Sequence, residues 1–500
     1  MYHISDCKKY TKCPHYFVNE TEVPKGAFQP YVRLDEEITA IAAQKLGVQD
    51  CFLGQKGDAP TKALEALNTY EWLVKARFEY KNLRIKVPFL HKNEDCWDIY
   101  FLFAGLYPHA DDLQFYCDTI WVLENLGIQL ENYYVIHLNA QYVRGKEIDP
   151  DALFIISSYF YNHKNNPTLP VKETINEKME DLTGLLKRME ETNRYTLSQP
   201  VRTSKCTIRQ KCKYYEQCFP EEMEEPANSI LTLISSQYKY AMKNEGRLYL
   251  RDTDIHHLEG FRQQYSQIMA DRQNGLFVDR MALRSWLSDI HYPIAFLDFE
   301  WERFAIPPYE GMRPYDVLPF EYSLHVLHED GTITQEVYLS IHDDRKDMAE
   351  HLIRDIPEEG TIIAYNAEGA EKLRLQELAD TFPEYRAKLL NMCDRLEDLQ
   401  IPFMTGTVYN TAMKGQWSLK CIMGFLDEKG YRDLDIRQGM EAVFQWRHLD
   451  HSEDDQDLEK IVRDLKEYCQ MDSYAMIVVY QWLEKLAQMH PFEEENQKIL

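Results

Sequence analysis

Five hundred residues with 44% hydrophobic content can build two or three separately cored domains of a soluble globular protein. The formal net charge of −26 argues against a broad electrostatic grip on nucleic acid, because phosphate contacts draw on Lys and Arg. It leaves room for a narrow site in which a bound metal ion inverts the local charge. No basic-plus-apolar leader opens the chain, and its longest apolar run, Ile99 to Tyr107, is shorter than the ~20 residues that span a bilayer. A cytoplasmic location with no membrane partner is therefore expected. In that compartment the 11 cysteines read as thiols or metal ligands rather than disulfides.

In chain order, Lys12-Cys13-Pro14 precedes an aromatic segment, and Cys206, Cys212 and Cys218 crowd together far downstream. Thiolates so close suggest one shared metal centre, which Cys13 could complete to four ligands. Zinc and free structural thiols are the alternatives. Between these cysteines, Leu83 to Leu90 and Trp97 to Phe103 read as adjacent strands. His109, Asp111 and Asp112 form a polar group best read as a solvated loop. Residues 171–200 alternate acidic and basic positions with Leu182, Leu185 and Leu186, the pattern of a solvated helix. Pro220 to Pro226 reads as a linker, and a helical connector follows to about residue 290. Adjacent His256 and His257 point apart on a helix and make a poor metal pair.

The second half opens on Ile294-Ala-Phe-Leu-Asp298-Phe-Glu300, an apolar strand carrying two carboxylates that face the same way. Burying two like charges is costly unless a cation neutralises them, and oxygen ligands favour Mg²⁺ or Mn²⁺. An edge strand with a solvated acidic face is the alternative. Phe320 to Val326 and Val337 to Ile341 alternate as further strands, an antiparallel three-stranded start to a sheet. Thr361 to Asn366 reads as another strand, followed by a helix. Between Asp433 and Asp457 an acidic stretch with Trp446, Arg447 and His448 reads as a loop, either over the site or merely solvated. From Leu458 to Leu483 an apolar stripe recurs at helical spacing, with Asp472 inside it and Tyr468 one turn earlier on the same face.

Asp298-x-Glu300 on a first strand and Tyr468-x-x-x-Asp472 on a late helix resemble the DEDD exonucleases, tyrosine subtype, of the ribonuclease H-like fold. The resemblance implies a middle motif, here Asn366 followed by a fourth carboxylate, for which Glu371 is the candidate and Glu368 the rival. It also implies a 3'-5' exonuclease in which Asp298, Glu300, Asp472 and that carboxylate hold two Mg²⁺ or Mn²⁺ ions and Tyr468 orients the attacking water. The partner would be a DNA or RNA end. Asn366 would contact it, and Phe299 and Trp301 would stack on a base, the alternative being ordinary core and rim aromatics. Ser418-Leu-Lys420 is similar to a family element leading into a helix.

A narrower resemblance rests on Tyr365-Asn366, Asp394 to Leu399, Pro319 to His325 and Tyr468-Cys469. These are similar to a bacterial family of uncharacterised function that fuses a RecB-like nuclease domain to a DEDD-like one. The cysteines fit RecB-like domains, where one early and three late ligands close a 4Fe-4S staple, although the late spacing here is wider. The nuclease chemistry does not fit. The resemblance calls for an Asp and a Glu-x-Lys, whereas the matching positions are Pro88 and the apolar Tyr100 to Phe103, and Lys75 stands where a glutamate is usual. Asp118-Thr-Ile-Trp and Tyr133 to Asn139 keep the framework.

The expectation is an α/β multidomain chain. Residues 1–222 form a RecB-like domain with a degenerate nuclease site, 223–290 a helical connector, 291–490 a DEDD-type exonuclease-like domain, and 491–500 a tail. The alternative is a catalytically inactive nucleic-acid-binding or assembly scaffold carrying an iron-sulfur cluster, with a protein partner.

Overall fold

The computed structural model describes every residue except 22–29, 111–112, 207–210, 223, 428–433, 435, 437–438, 450–454 and 490–500. The chain is a mixed α/β protein of two compact units: residues 1–224 with 304–316, and residues 225–303 with 317–500.

In the first unit, β1 (Tyr2–His3), β2 (Cys51–Leu53), β3 (Trp72–Tyr80), β4 (Leu83–Asn93), β5 (Cys96–Phe103), β6 (Leu130–Leu138) and β7 (Phe154–Ser157) share one sheet. Its order is β2-β3-β4-β5-β6-β7, with β1 beside β4. The two strands read from Leu83 and Trp97 are antiparallel neighbours. Strand periodicity explains the faces: Leu83, Ile85, Val87 and Phe89 are buried, while Arg84, Lys86 and Pro88 between them keep some exposure. Helix Leu113–Asn125 packs Ile120, Val122 and Leu123 into the core. The stretch expected as a solvated helix is instead two short helices, Val171–Lys178 and Thr183–Glu191. Their Val171, Ile175, Leu186 and Met189 join the same core, because apolar burial outweighs the surface charge pattern. Asp111 and Asp112 lie outside the described residues, and His109 Nδ1 is 3.0 Å from the Tyr161 carbonyl. That carbonyl lies on β8 (Tyr159–Tyr161), which pairs with β9 (Pro167–Pro170).

The second unit does not open with a purely helical connector. Helices Lys239–Asn244, Arg262–Arg272 and Arg280–Leu287 are present, but β10 (Leu276–Val278) interrupts them. The main sheet comprises β11 (Ile294–Arg303), β12 (Val317–Leu327), β13 (Ile333–Leu339), β14 (Ile362–Ala364) and β15 (Leu396–Asp398), in the order β13-β12-β11-β14-β15. The expected antiparallel start is present in β11, β12 and β13, and β14 and β15 run parallel to β11. β10 pairs with β16 (Val408–Asn410) outside this sheet. Both faces are covered. Ala295, Leu297 and Phe299 face a core built with Met348, Leu352, Leu375 and Leu389, whereas Ile294 and Phe296 face Met476, Val479 and Leu483 of the long helix Asp455–Gln488.

The stretch expected as an acidic loop contains a helix, Gly439–Leu449. Trp446 is buried, stacks on Phe320 at 4.6 Å and donates through Nε1 to the Ser340 carbonyl. Arg447 pairs with buried Glu302 at 2.5 Å. An apolar anchor and an ion pair thus fix a segment whose composition suggested solvent. Among the described residues, no helix is long and apolar enough to cross a membrane.

Candidate functional site

Asp298 and Glu300 lie in the half of β11 where the apolar run gives way to polar residues, on the face that meets the long helix. On that helix Leu465, Tyr468, Cys469, Asp472, Ser473 and Met476 are all buried, the spacing of a single face. The two elements bring carboxylate oxygens of Asp298, Glu300 and Asp472 within 4.8 Å of one another. Among the described residues this is the only set of three or more His, Cys, Asp or Glu groups whose ligand atoms close so tightly.

Such a set resists ionisation. Burial first, then Asp472, Glu300 and Glu371, push the Asp298 carboxyl well above its ordinary range. Burial and Asp472 push Glu300 up to about 8, opposed by the Lys420 ammonium. A divalent cation would reverse this balance, so the donor set fits Mg²⁺ or Mn²⁺.

Glu371 and Glu368 separate clearly. Glu371 begins helix Glu371–Thr381, is 2% exposed, and has a buried Oε2 without a hydrogen-bond partner. Burial first, then Asp398 among the neighbouring acids, raise its carboxyl to about 8, and Glu300 adds to the rise. Glu368 is exposed and pairs with Lys372. Glu371, not Glu368, is thus the buried acid whose charge is felt at Asp298 and Glu300, and it lies outside the set that closes within 4.8 Å.

Tyr468 is 3% exposed, and its hydroxyl accepts from Lys420 Nζ at 2.8 Å. Burial and then Asp472 hold its phenol protonated. Lys420 rises from the first turn of helix Leu419–Leu426, capped by Ser418, so the Ser418-Leu-Lys420 element delivers an ammonium between Tyr468 and Glu300. Gly439 also meets the site, where a Cβ would stand 3.5 Å from Glu300 Oε2.

Asn366 is exposed, in the left-handed region at φ 63°, and its N–H donates to Asp398 Oδ1 at 2.9 Å. Asp398 also accepts from Gln400 N, pinning the turn that leads to Glu371. Phe299 requires correction. Strand alternation turns it away from the carboxylates into the opposite core, 2% exposed against Tyr322, so no base can stack on it. Trp301 is half-buried on that same core, and the Arg374 guanidinium covers its ring at 4.8 Å. Phe299 offers no stacking face, and one face of Trp301 is taken by Arg374.

Sequence reasoning missed Glu321. It lies opposite Glu300 across the β11–β12 ladder, fully buried, with no hydrogen-bond partner for either carboxylate oxygen. Its signal was legible in Pro319 to His325, where Glu321, Ser323 and His325 alternate with apolar residues. Ser323 and His325 bond Ser473 of the long helix at 2.8 and 2.7 Å. The Cys469 thiol donates to Asp298 Oδ2 at 3.7 Å.

In the first unit, Cys13, Cys206, Cys212 and Cys218 line one small cavity. Burial and then the Cys13, Cys212 and Cys206 thiols raise the Cys218 thiol. Lys205 Nζ donates to the Thr11 carbonyl at 3.0 Å, a side-chain link between the early and late cysteine segments, and Cys212 N donates to the Cys206 carbonyl at 2.8 Å within the late one.

Residues 295–418 match the family described as Domain of unknown function (DUF2779). The matched segment contains Asp298, Glu300, Glu321, Asn366 and Glu371, and it ends before Lys420, Tyr468 and Asp472. No curated protein matches the chain. No solved structure matches it either.

Proposed function

We propose that the second unit is a metal-dependent 3'-5' exonuclease of ribonuclease H-like fold acting on a DNA or RNA end, and that the first is a RecB-like binding domain stapled by an iron-sulfur cluster. The observation that carries the reading is the closure of Asp298, Glu300 and Asp472 within 4.8 Å, in surroundings that penalise their charge. Three antiparallel strands followed by two parallel ones support the fold.

Asp298, Glu300, Asp472 and Glu371 would hold the divalent ions. Bound there, the ions would supply an activated water and stabilise the leaving oxygen. Tyr468, kept protonated, presents a donor to orient that water, and Lys420 fixes the phenol. Asn366 stands exposed on the turn before Glu371, where a nucleic-acid end could contact it.

The four cysteines gathered at one cavity support a shared metal centre, an iron-sulfur cluster in this reading and zinc in the alternative. A cytoplasmic site of action belongs to the same proposal. The deciding experiment compares degradation of end-labelled DNA and RNA by wild type and Asp298→Ala with Mn²⁺ or Mg²⁺. Product formation that survives the substitution would sink the assignment.

A further inference from the structure

One cavity of the first unit is unlike the rest of this acidic chain. It encloses about 590 Å³, within the ordinary range for small-ligand pockets. Acidic residues outnumber basic ones 82 to 56 along the chain, yet among the described residues that line this cavity Lys8, Lys75, Arg84 and Lys86 stand against a single carboxylate, Asp35. The remaining wall is largely apolar, including Ile38, Leu102 and Phe115.

Three features mark it as built. Lys75 sits in the middle of β3 at φ 52°, in the left-handed region that few non-glycine residues enter. Its ladder register falls opposite Pro88, which has no N–H to give, and pairing resumes at Ala76 and Val87. Such local strain persists where surrounding structure enforces it, often at binding sites. Second, Asp35 bridges Lys75 at 3.3 Å and Lys86 at 2.9 Å, an internal counter-ion where two ammonium groups converge. Third, Arg84 pairs with Glu79 at 3.1 Å while its own Nε is buried without an acceptor.

We propose that this cavity binds a phosphate monoester carrying an apolar or aromatic body of mononucleotide size. Lys75, Lys86 and Arg84 hold the phosphate, Asp35 competes with it for the two lysines, and the apolar wall takes the body. The site needs no metal, and it stands independently of the carboxylates in the second unit.

The test is calorimetric titration of the full chain in EDTA, which removes any contribution from a divalent-ion site. The probes are inorganic phosphate, a nucleoside monophosphate, its unphosphorylated nucleoside, and a 5'-phosphorylated single-stranded oligonucleotide. The monophosphate should bind at least about tenfold more tightly than either phosphate or nucleoside. Lys75→Met and Lys86→Met should each weaken it by about fivefold or more, and Asp35→Asn, which removes the competing charge at nearly constant volume, should tighten it. Tighter binding of the oligonucleotide would support the site with a chain end as the source, and equal binding would support it with a free nucleotide. Equal affinity for nucleoside and monophosphate would overturn the proposal, as would Asp35→Asn and Lys86→Met proteins that both bind like wild type.

Discussion

Glu300 and Glu321 face each other as direct cross-strand partners on the side of the sheet that meets the long helix Asp455–Gln488, two carboxylates where opposite charges would be the stable pairing. Burial and then Glu300 push the Glu321 carboxyl well above its ordinary range. Glu321→Gln keeps the volume and removes the acid. It should raise the melting temperature of the metal-free protein at pH 8 and weaken Mn²⁺ binding by about tenfold, about 1.4 kcal/mol. Unchanged Mn²⁺ affinity by calorimetry would make Glu321 a bystander.

Asp298→Ala and Asp472→Ala should each abolish measurable divalent-ion binding while the protein stays folded. Activity should fall by more than about a hundredfold, since even outer partners of metal ligands are worth ten- to a hundredfold. Circular dichroism together with Mn²⁺ calorimetry separates loss of the ion from loss of the fold. Wild-type affinity in both variants would end the assignment.

Tyr468→Phe removes one hydroxyl and no ligand. Mn²⁺ affinity should hold while turnover drops by about a hundredfold. Lys420→Met should lower turnover as well, because its ammonium holds that hydroxyl at 2.8 Å and favours the charged form of Glu300. A wild-type rate in Tyr468→Phe would take the phenol out of the mechanism.

The raised carboxyls fix a pH signature. Glu300 and Glu371 ordinarily titrate at 4.5 and reach about 8 in the fold, so the folded state holds these protons more tightly than the unfolded chain does. Their stabilising contribution is complete below the ordinary value and is lost as pH climbs towards about 8. In EDTA the protein should therefore melt several degrees lower at about pH 8 than at about pH 6. Mn²⁺ should restore the loss, because it replaces the protons. A flat profile in EDTA would mean that these groups are not protonated in the metal-free fold.

Anaerobically purified protein should be brown and contain about four irons per chain. Cys212→Ser should lose the colour and the protease resistance of the first unit, because cluster binding and folding are coupled. Mn²⁺ binding by the second unit should survive. One zinc in colourless protein would replace the cluster with a zinc staple, and neither metal would leave the cysteines as thiols.

The sequence by itself determined what local periodicity can carry. Period-two alternation gave the strands from Leu83, Trp97, Ile294 and Phe320, and helical spacing put Tyr468 and Asp472 on one face of one helix. The joint placement of Asp298 and Glu300 followed from the same geometry. Other features depended on which partner each element met. Glu371 separated from Glu368 only in the fold, where Glu368 stays exposed in the turn pinned by Asp398 and Glu371 opens the helix that follows with its side chain buried. Phe299 was lost as a stacking residue because the sheet is covered on both faces, which alternation along one strand does not reveal. Glu321 and Lys420 entered the site through contacts with residues distant in sequence, and Lys75 acquired its place through a left-handed backbone opposite Pro88. Each case has one cause: burial and electrostatics are set by neighbours that only long-range packing supplies.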